Sequence, residues 1–174
     1  MLFVKIVDRL NGLIRWVLAA LLVGMTVCTL WQVIVRFLLG AFDINVSAPW
    51  TEELARYMMI WVIFLGAAVA CRKAQLISLD IVVHSVPQRL GRGLRYLSLL
   101  ICFAFFGLMF NLGMQFLEFG AIESSPVLSL PKNWVYVSMP IGFALMILNT
   151  VALMVEAYCT RTDIRFAGQS LGQE

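Results

Sequence analysis

Trp16–Val35, WVLAALLVGMTVCTLWQVIV, is a run of 20 residues without one charged side chain. As an α-helix it rises about 30 Å, the thickness of a bilayer's hydrocarbon core. Three more charge-free stretches follow, 57–71, 96–117 and 133–155. The shortest, 57–71, crosses a bilayer only if its helix starts upstream, which carries Thr51, Glu52, Glu53 and Arg56 to one membrane face. The pattern predicts an all-α integral membrane protein, a single membrane domain with four transmembrane helices over about 14–36, 49–71, 95–117 and 134–156. Short loops and amphipathic interfacial segments complete it.

Composition agrees. The 174 residues are 61% hydrophobic and 13% charged, against roughly 45–50% and about 25% in soluble domains. Four helices consume most of the chain, leaving no stretch able to bury a separate soluble core. A net charge of +3 does not imply nucleic acid, because the basic residues flank helix ends, where the positive-inside rule accounts for them. Lys5, Arg9 and Arg15 precede the first span, Arg72, Lys73, Arg89, Arg92 and Arg95 follow the second, and Arg161 and Arg165 follow the fourth. The other face keeps Arg36, Arg56 and Lys132. Both termini are therefore expected in the cytoplasm. The basic start resembles a secretory signal, but its apolar run is too long and leads to Arg36-Phe37, so a retained first helix is expected.

Two segments are expected to lie on the membrane surface. Leu2, Ile6, Leu10 and Leu13 recur at helical spacing, read as opposite Lys5, Asp8 and Arg9. The connection 74–94 carries Leu76, Ile77, Leu79, Ile81, Val82 and Val83 before Pro87 and the basic Arg89, Arg92 and Arg95. The outer connections hold the turn-formers Gly40, Asp43, Asn45, Pro126 and Pro131.

Catalysis finds little support. Membrane disulfide exchange needs paired cysteines, whereas Cys28, Cys71, Cys102 and Cys159 are isolated. A haem would need histidines within the spans, and His84 lies in a connection. No cluster has metal-ligand spacing, so no catalytic, cofactor or metal residue is expected. A self-sufficient transporter would place an ionisable group at the midplane, yet Glu52, Glu53, Glu118 and Glu156 sit at span ends. An independent four-helix transporter or channel remains the alternative, distinguished by whether the chain alone moves a solute.

Uncharged polar residues do enter the spans. Ala104, Gly107, Asn111, Gln115 and Glu118 fall near one face of helix three, and Thr29, Gln32 and Arg36 on helix one. Such a stripe either packs inside the bundle or meets a second membrane protein. Pro140 is expected to kink helix four. At the start of helix two Ser47 suits a cap, Pro49 the first turn, and Glu52 and Glu53 the positive dipole end. Arg56 is within reach of both carboxylates, at i, i+4 and i, i+3.

In order and spacing, Gln32-x-x-x-Arg36-Phe37, Trp50-x-Glu52-Glu53-x-x-Arg56, Trp61 and Gly66-Ala67-Ala68-x-Ala70-x-Arg72 resemble the small membrane subunit, the DctQ type, of tripartite ATP-independent periplasmic (TRAP) transporters. Leu130-Pro131-x-x-Trp134-x-Tyr136-x-x-x-Pro140-x-Gly142 extends the resemblance. The family's His-Ile-x-x-Asp run is here Leu76-Ile77-x-x-Asp80, so any role of that histidine is missing. The resemblance implies a bacterial inner-membrane protein, non-catalytic and without cofactor, that scaffolds a large elevator-type subunit. It further implies sodium-driven uptake, a symport, of an organic acid delivered by a periplasmic binding protein, with no direct substrate contact by this chain. Gln32, Arg36, Trp50, Glu52, Glu53, Arg56, Asn111, Gln115 and Glu118 are the expected partner-interface residues, and Trp16, Trp50, Trp134 and Tyr136 the contacts with membrane lipids.

Overall fold

The computed structural model describes residues 2–39, 49–73 and 87–160. The expectations for Gly40, Asp43, Asn45, Ser47, the segment 74–86 with Asp80 and His84, Arg161 and Arg165 lie outside the described residues.

With no proline ahead of Pro49, nothing interrupts the first helix. α1 (Leu2–Ile34) runs 33 residues, about 50 Å, and closes in a π-helical turn, Val35–Leu39. The expected surface segment and first span are thus one rod. α2 (Pro49–Arg72) begins at a proline, whose missing N–H has no intrahelical acceptor there in any case. α3 (Gln88–Ile122) starts after Pro87, whose carbonyl accepts from Gly91 N at 3.0 Å. At 35 residues it outruns the predicted 95–117 at both ends.

The fourth span is a broken helix, α4 (Asn133–Tyr136) and α5 (Ser138–Thr160). Pro140 has no N–H for the Tyr136 carbonyl, so the break falls one turn before it. Two neighbouring carbonyls gain side-chain donors: Trp61 Nε1 reaches Trp134 O at 3.2 Å, and Ser138 Oγ reaches Val135 O at 2.6 Å. These side-chain donors serve carbonyls beside the break, where the helical ladder is interrupted.

Four helices are long and apolar enough to cross a membrane. Among the described residues there is no strand, only an isolated bridge between Ser124 and Pro131. α5 is central: α2 and α3 pack on it, and α1 packs mainly on α2. Ala68, Cys71, Phe106, Phe143 and Met146 form the main core, and Leu99, Leu153 and Ala157 a second cluster. Phe143 meets Phe64 edge-on at 5.7 Å between centroids. Glycine permits that approach, since a Cβ on Gly142 would lie 2.7 Å from Phe64 Cβ.

Candidate subunit interface

The expected cluster at the start of α2 forms, but it divides in two. Arg56 Nη2 donates to Glu52 Oε1 at 3.0 Å, with both side chains largely exposed. Gln32 Nε2 approaches the other Glu52 oxygen at 3.5 Å and links α1 to α2. Glu53 belongs elsewhere. Its carboxylate accepts from Tyr57 Oη at 2.9 Å, from Ser125 Oγ, and from the Leu128 backbone N–H at 3.1 Å. The expected Glu53–Arg56 pair is therefore replaced by a bond to the loop after α3. Trp50 and Arg36 are exposed at the same end.

Glu53 holds that loop by giving its turn an anionic acceptor. Ser125 N bonds Leu130 O at 2.8 Å and Lys132 N bonds Glu123 O at 2.9 Å, closing a narrow return. Ser129 takes a left-handed φ of 52° within it. Lys132 Nζ pairs with Glu123, and Tyr136 Oη reaches the other oxygen of that carboxylate at 3.3 Å. Lys132 holds the Glu123 carboxyl below the ordinary Glu value, and Glu123 in turn raises the Lys132 ammonium. Between this loop, α2 and α4 lies an open cleft of about 440 Å³, with Glu52, Glu53 and Arg56 on one wall and Lys132 and Tyr136 on the other.

The helix-three stripe faces outward. Ala104, Asn111, Gln115 and Glu118 are exposed, and Asn111 Nδ2 returns to Gly107 O at 3.1 Å on its own helix. Packing inside the bundle, one of the two readings of the stripe, is therefore excluded for these side chains. No hydrogen bond among the described residues joins them to the α2 cluster. On α1, Thr29 likewise bonds its own helix, at Met25 O.

A polar centre at the opposite end escaped the sequence reading. Arg72, there a marker of orientation and the close of the Gly66-Ala67-Ala68-x-Ala70-x-Arg72 run, has a side chain 4% exposed. It donates from Nε and Nη2 to the two oxygens of Asp8 at 2.9 and 3.3 Å, and its Nη1 lies 2.7 Å from Glu156 Oε2. One turn further in, Asn11 and Asn149 exchange amide bonds at 2.7 and 3.1 Å, and Asn149 also reaches Ala68 O at 2.7 Å. The small Ala68 lets α5 approach closely enough for that contact. Asp8 and Asn11 thus tie the first turns of α1 to α2 and α5. Val7, Asn11 and Ile14 are buried while Leu2, Lys5, Ile6, Arg9 and Leu13 are exposed, so the expected opposition of apolar and charged faces does not hold. The traceable signal was Arg72 closing the Gly66-Ala67-Ala68 run.

No group of three His, Cys, Asp or Glu that could hold a metal occurs among the described residues. Comparison with known proteins supplies the family. Residues 25–160 match the family described as Tripartite ATP-independent periplasmic transporters, DctQ component. The chain is 30% identical over 103 residues to the isethionate TRAP transporter permease protein DctMQ of Oleidesulfovibrio alaskensis, covering 58% of this chain but 16% of that relative. It is 25% identical over 144 residues to the sialic acid TRAP transporter small permease protein SiaQ of Vibrio cholerae, 82% of this chain and 78% of the relative. The C4-dicarboxylate TRAP transporter small permease protein DctQ of Vibrio cholerae is 22% identical over 197 aligned positions, 99% and 82% of the two chains. With four helices long enough to span a bilayer, an outward polar stripe and a match over most of its length, this chain belongs to the DctQ component family, the small permease subunits of TRAP transporters.

Proposed function

We propose that this chain is the non-catalytic scaffold of a large elevator-type membrane subunit in a bacterial inner-membrane importer, driven by sodium and supplied with an organic acid by a periplasmic binding protein. The observation that carries the reading is the outward stripe of α3. An amide in hydrocarbon costs free energy unless it finds a partner, and Gln115, unlike Asn111, has no hydrogen bond to its own helix among the described residues. A second membrane protein on that face supplies one. Relatives support the partner: this chain spans only 16% of the permease named DctMQ, which leaves room for a large permease in the same polypeptide. The lack of a midplane charge suits a scaffold without substrate contact. The gathering of basic residues at the Arg72 end supports a topology with both termini in the cytoplasm, in which the Glu53 cleft faces the binding protein.

The test is co-purification with a large TRAP subunit, alongside sodium-driven uptake in proteoliposomes. Asn111→Leu with Gln115→Leu should reduce recovery of the pair and uptake together, and leave the unfolding of the isolated chain unchanged. Equal recovery would remove the stripe from the interface. Solute movement by this chain alone would replace the scaffold reading with an independent carrier.

A further inference from the structure

Three charged residues share the first three turns of α1 and meet different fates. Asp8, with its side chain still 42% exposed, gives both its oxygens to Arg72. Lys5 and Arg9 face outward and are exposed, and among the described residues neither forms an ion pair. The carboxylate best placed to neutralise them is already committed. At about 100° per residue, Lys5, Arg9, Leu2, Leu13 and Ile6 fall in one arc of roughly 100°, away from the buried Val7, Asn11 and Ile14. A recess of about 470 Å³ lies against Leu2, Lys5, Ile6, Asp8 and Arg9. Trp16, 79% exposed, stands two turns further along the same face.

We infer that this recess holds an anionic phospholipid, its phosphate between Lys5 and Arg9 and its acyl chains along Ile6 and Leu13 toward Trp16. The cations are one turn apart, a spacing at which one phosphate can bridge two side chains. The adjoining exposed apolar residues require a ligand that is apolar below its charge, which a free phosphate is not. Long basic side chains at a helix end also carry their charge to the headgroup level while their methylene stems lie along apolar surface. The bound lipid steadies the first turns of α1 and keeps Asp8 in place for Arg72. Lys5 and Arg9 precede residue 25, where the family match begins, so the site lies outside the matched region.

The experiment places the full chain in phosphatidylcholine nanodiscs and measures the association of spin-labelled phosphatidylglycerol relative to spin-labelled phosphatidylcholine. Wild type should prefer the anionic lipid. K5Q or R9Q alone should lower that preference about fivefold, and the double variant about thirtyfold, whereas K5R/R9K should retain it. Millimolar inorganic phosphate should leave the lipid in place. Equal preference in wild type and K5Q/R9Q would overturn the site, and displacement by inorganic phosphate would reassign it to a free anion. Unfolding of K5Q/R9Q in pure phosphatidylcholine should match wild type, which separates lost binding from lost folding.

Discussion

Arg72 and Asp8 are 64 positions apart in the chain, yet the guanidinium of one grips the carboxylate of the other through two hydrogen bonds, 2.9 and 3.3 Å long. Arg72 also meets Glu156, and is far more buried than either partner: 4% exposed against 42% and 29%. The arginine is therefore the member whose loss matters most.

Arg72→Met leaves two carboxylates close together without their shared cation. Breaking a buried pair costs about 3–5 kcal/mol, and the partial exposure of Asp8 and Glu156 places this one near the lower end. Asp8→Asn leaves Arg72 paired with Glu156 and should cost no more than about 1 kcal/mol. Reversible unfolding in mixed micelles measures both, and equal losses would show that Arg72 is not the hub.

Glu52→Ala and Glu53→Ala should differ although the residues are adjacent. Glu52 serves an exposed pair, worth at most about 1 kcal/mol. Glu53 accepts the Leu128 N–H, and a bond to a charged acceptor contributes roughly 1.5–3 kcal/mol. Hydrogen exchange at Leu128 should accelerate about tenfold or more in Glu53→Ala and stay unchanged in Glu52→Ala. The reverse order would contradict the loop contact.

Gly142→Val should destabilise the bundle by about 1–3 kcal/mol through overpacking, because the new Cβ meets Phe64 Cβ at 2.7 Å. Gly12→Ala meets nothing within 4 Å and should stabilise α1 by up to about 1 kcal/mol. Thermal midpoints moving in opposite directions are the expected result.

The Glu123–Lys132 pair has a definite pH window. A depressed carboxyl value contributes stability above the ordinary Glu value and loses it as pH falls through the depressed one. A raised ammonium value contributes below the ordinary Lys value and loses it as pH rises through the raised one. The pair therefore holds the loop throughout the neutral range. In Lys132→Met, the carboxyl carbon resonance of Glu123 should titrate at higher pH than in wild type, and an unmoved titration would refute the pairing.

Membrane insertion depends on the composition of a continuous stretch, so Trp16–Val35 and the three later gaps revealed the four helices without any tertiary information. The Glu52–Arg56 bond was equally legible, because an i, i+4 pair needs only one helix. The start of α2 also placed Glu53 near Arg56, but a loop 72 positions away in the chain supplied Ser125 instead. The helix-three stripe was visible as a stripe, while its direction was not, since periodicity states which residues share a face and not what that face meets.

The amino-acid sequence by itself determined that four long apolar helices form, the charge asymmetry and the family. Tertiary structure alone decided that Arg72 binds Asp8 and Glu156, that Asn11 meets Asn149 138 positions away, and that the α3 stripe faces outward. The physical reason is one of range. Hydropathy and helical spacing act over a few neighbouring residues. Partners on different helices are chosen by how closely and at what register the helices pack, which here rests on small residues such as Ala68 and Gly142.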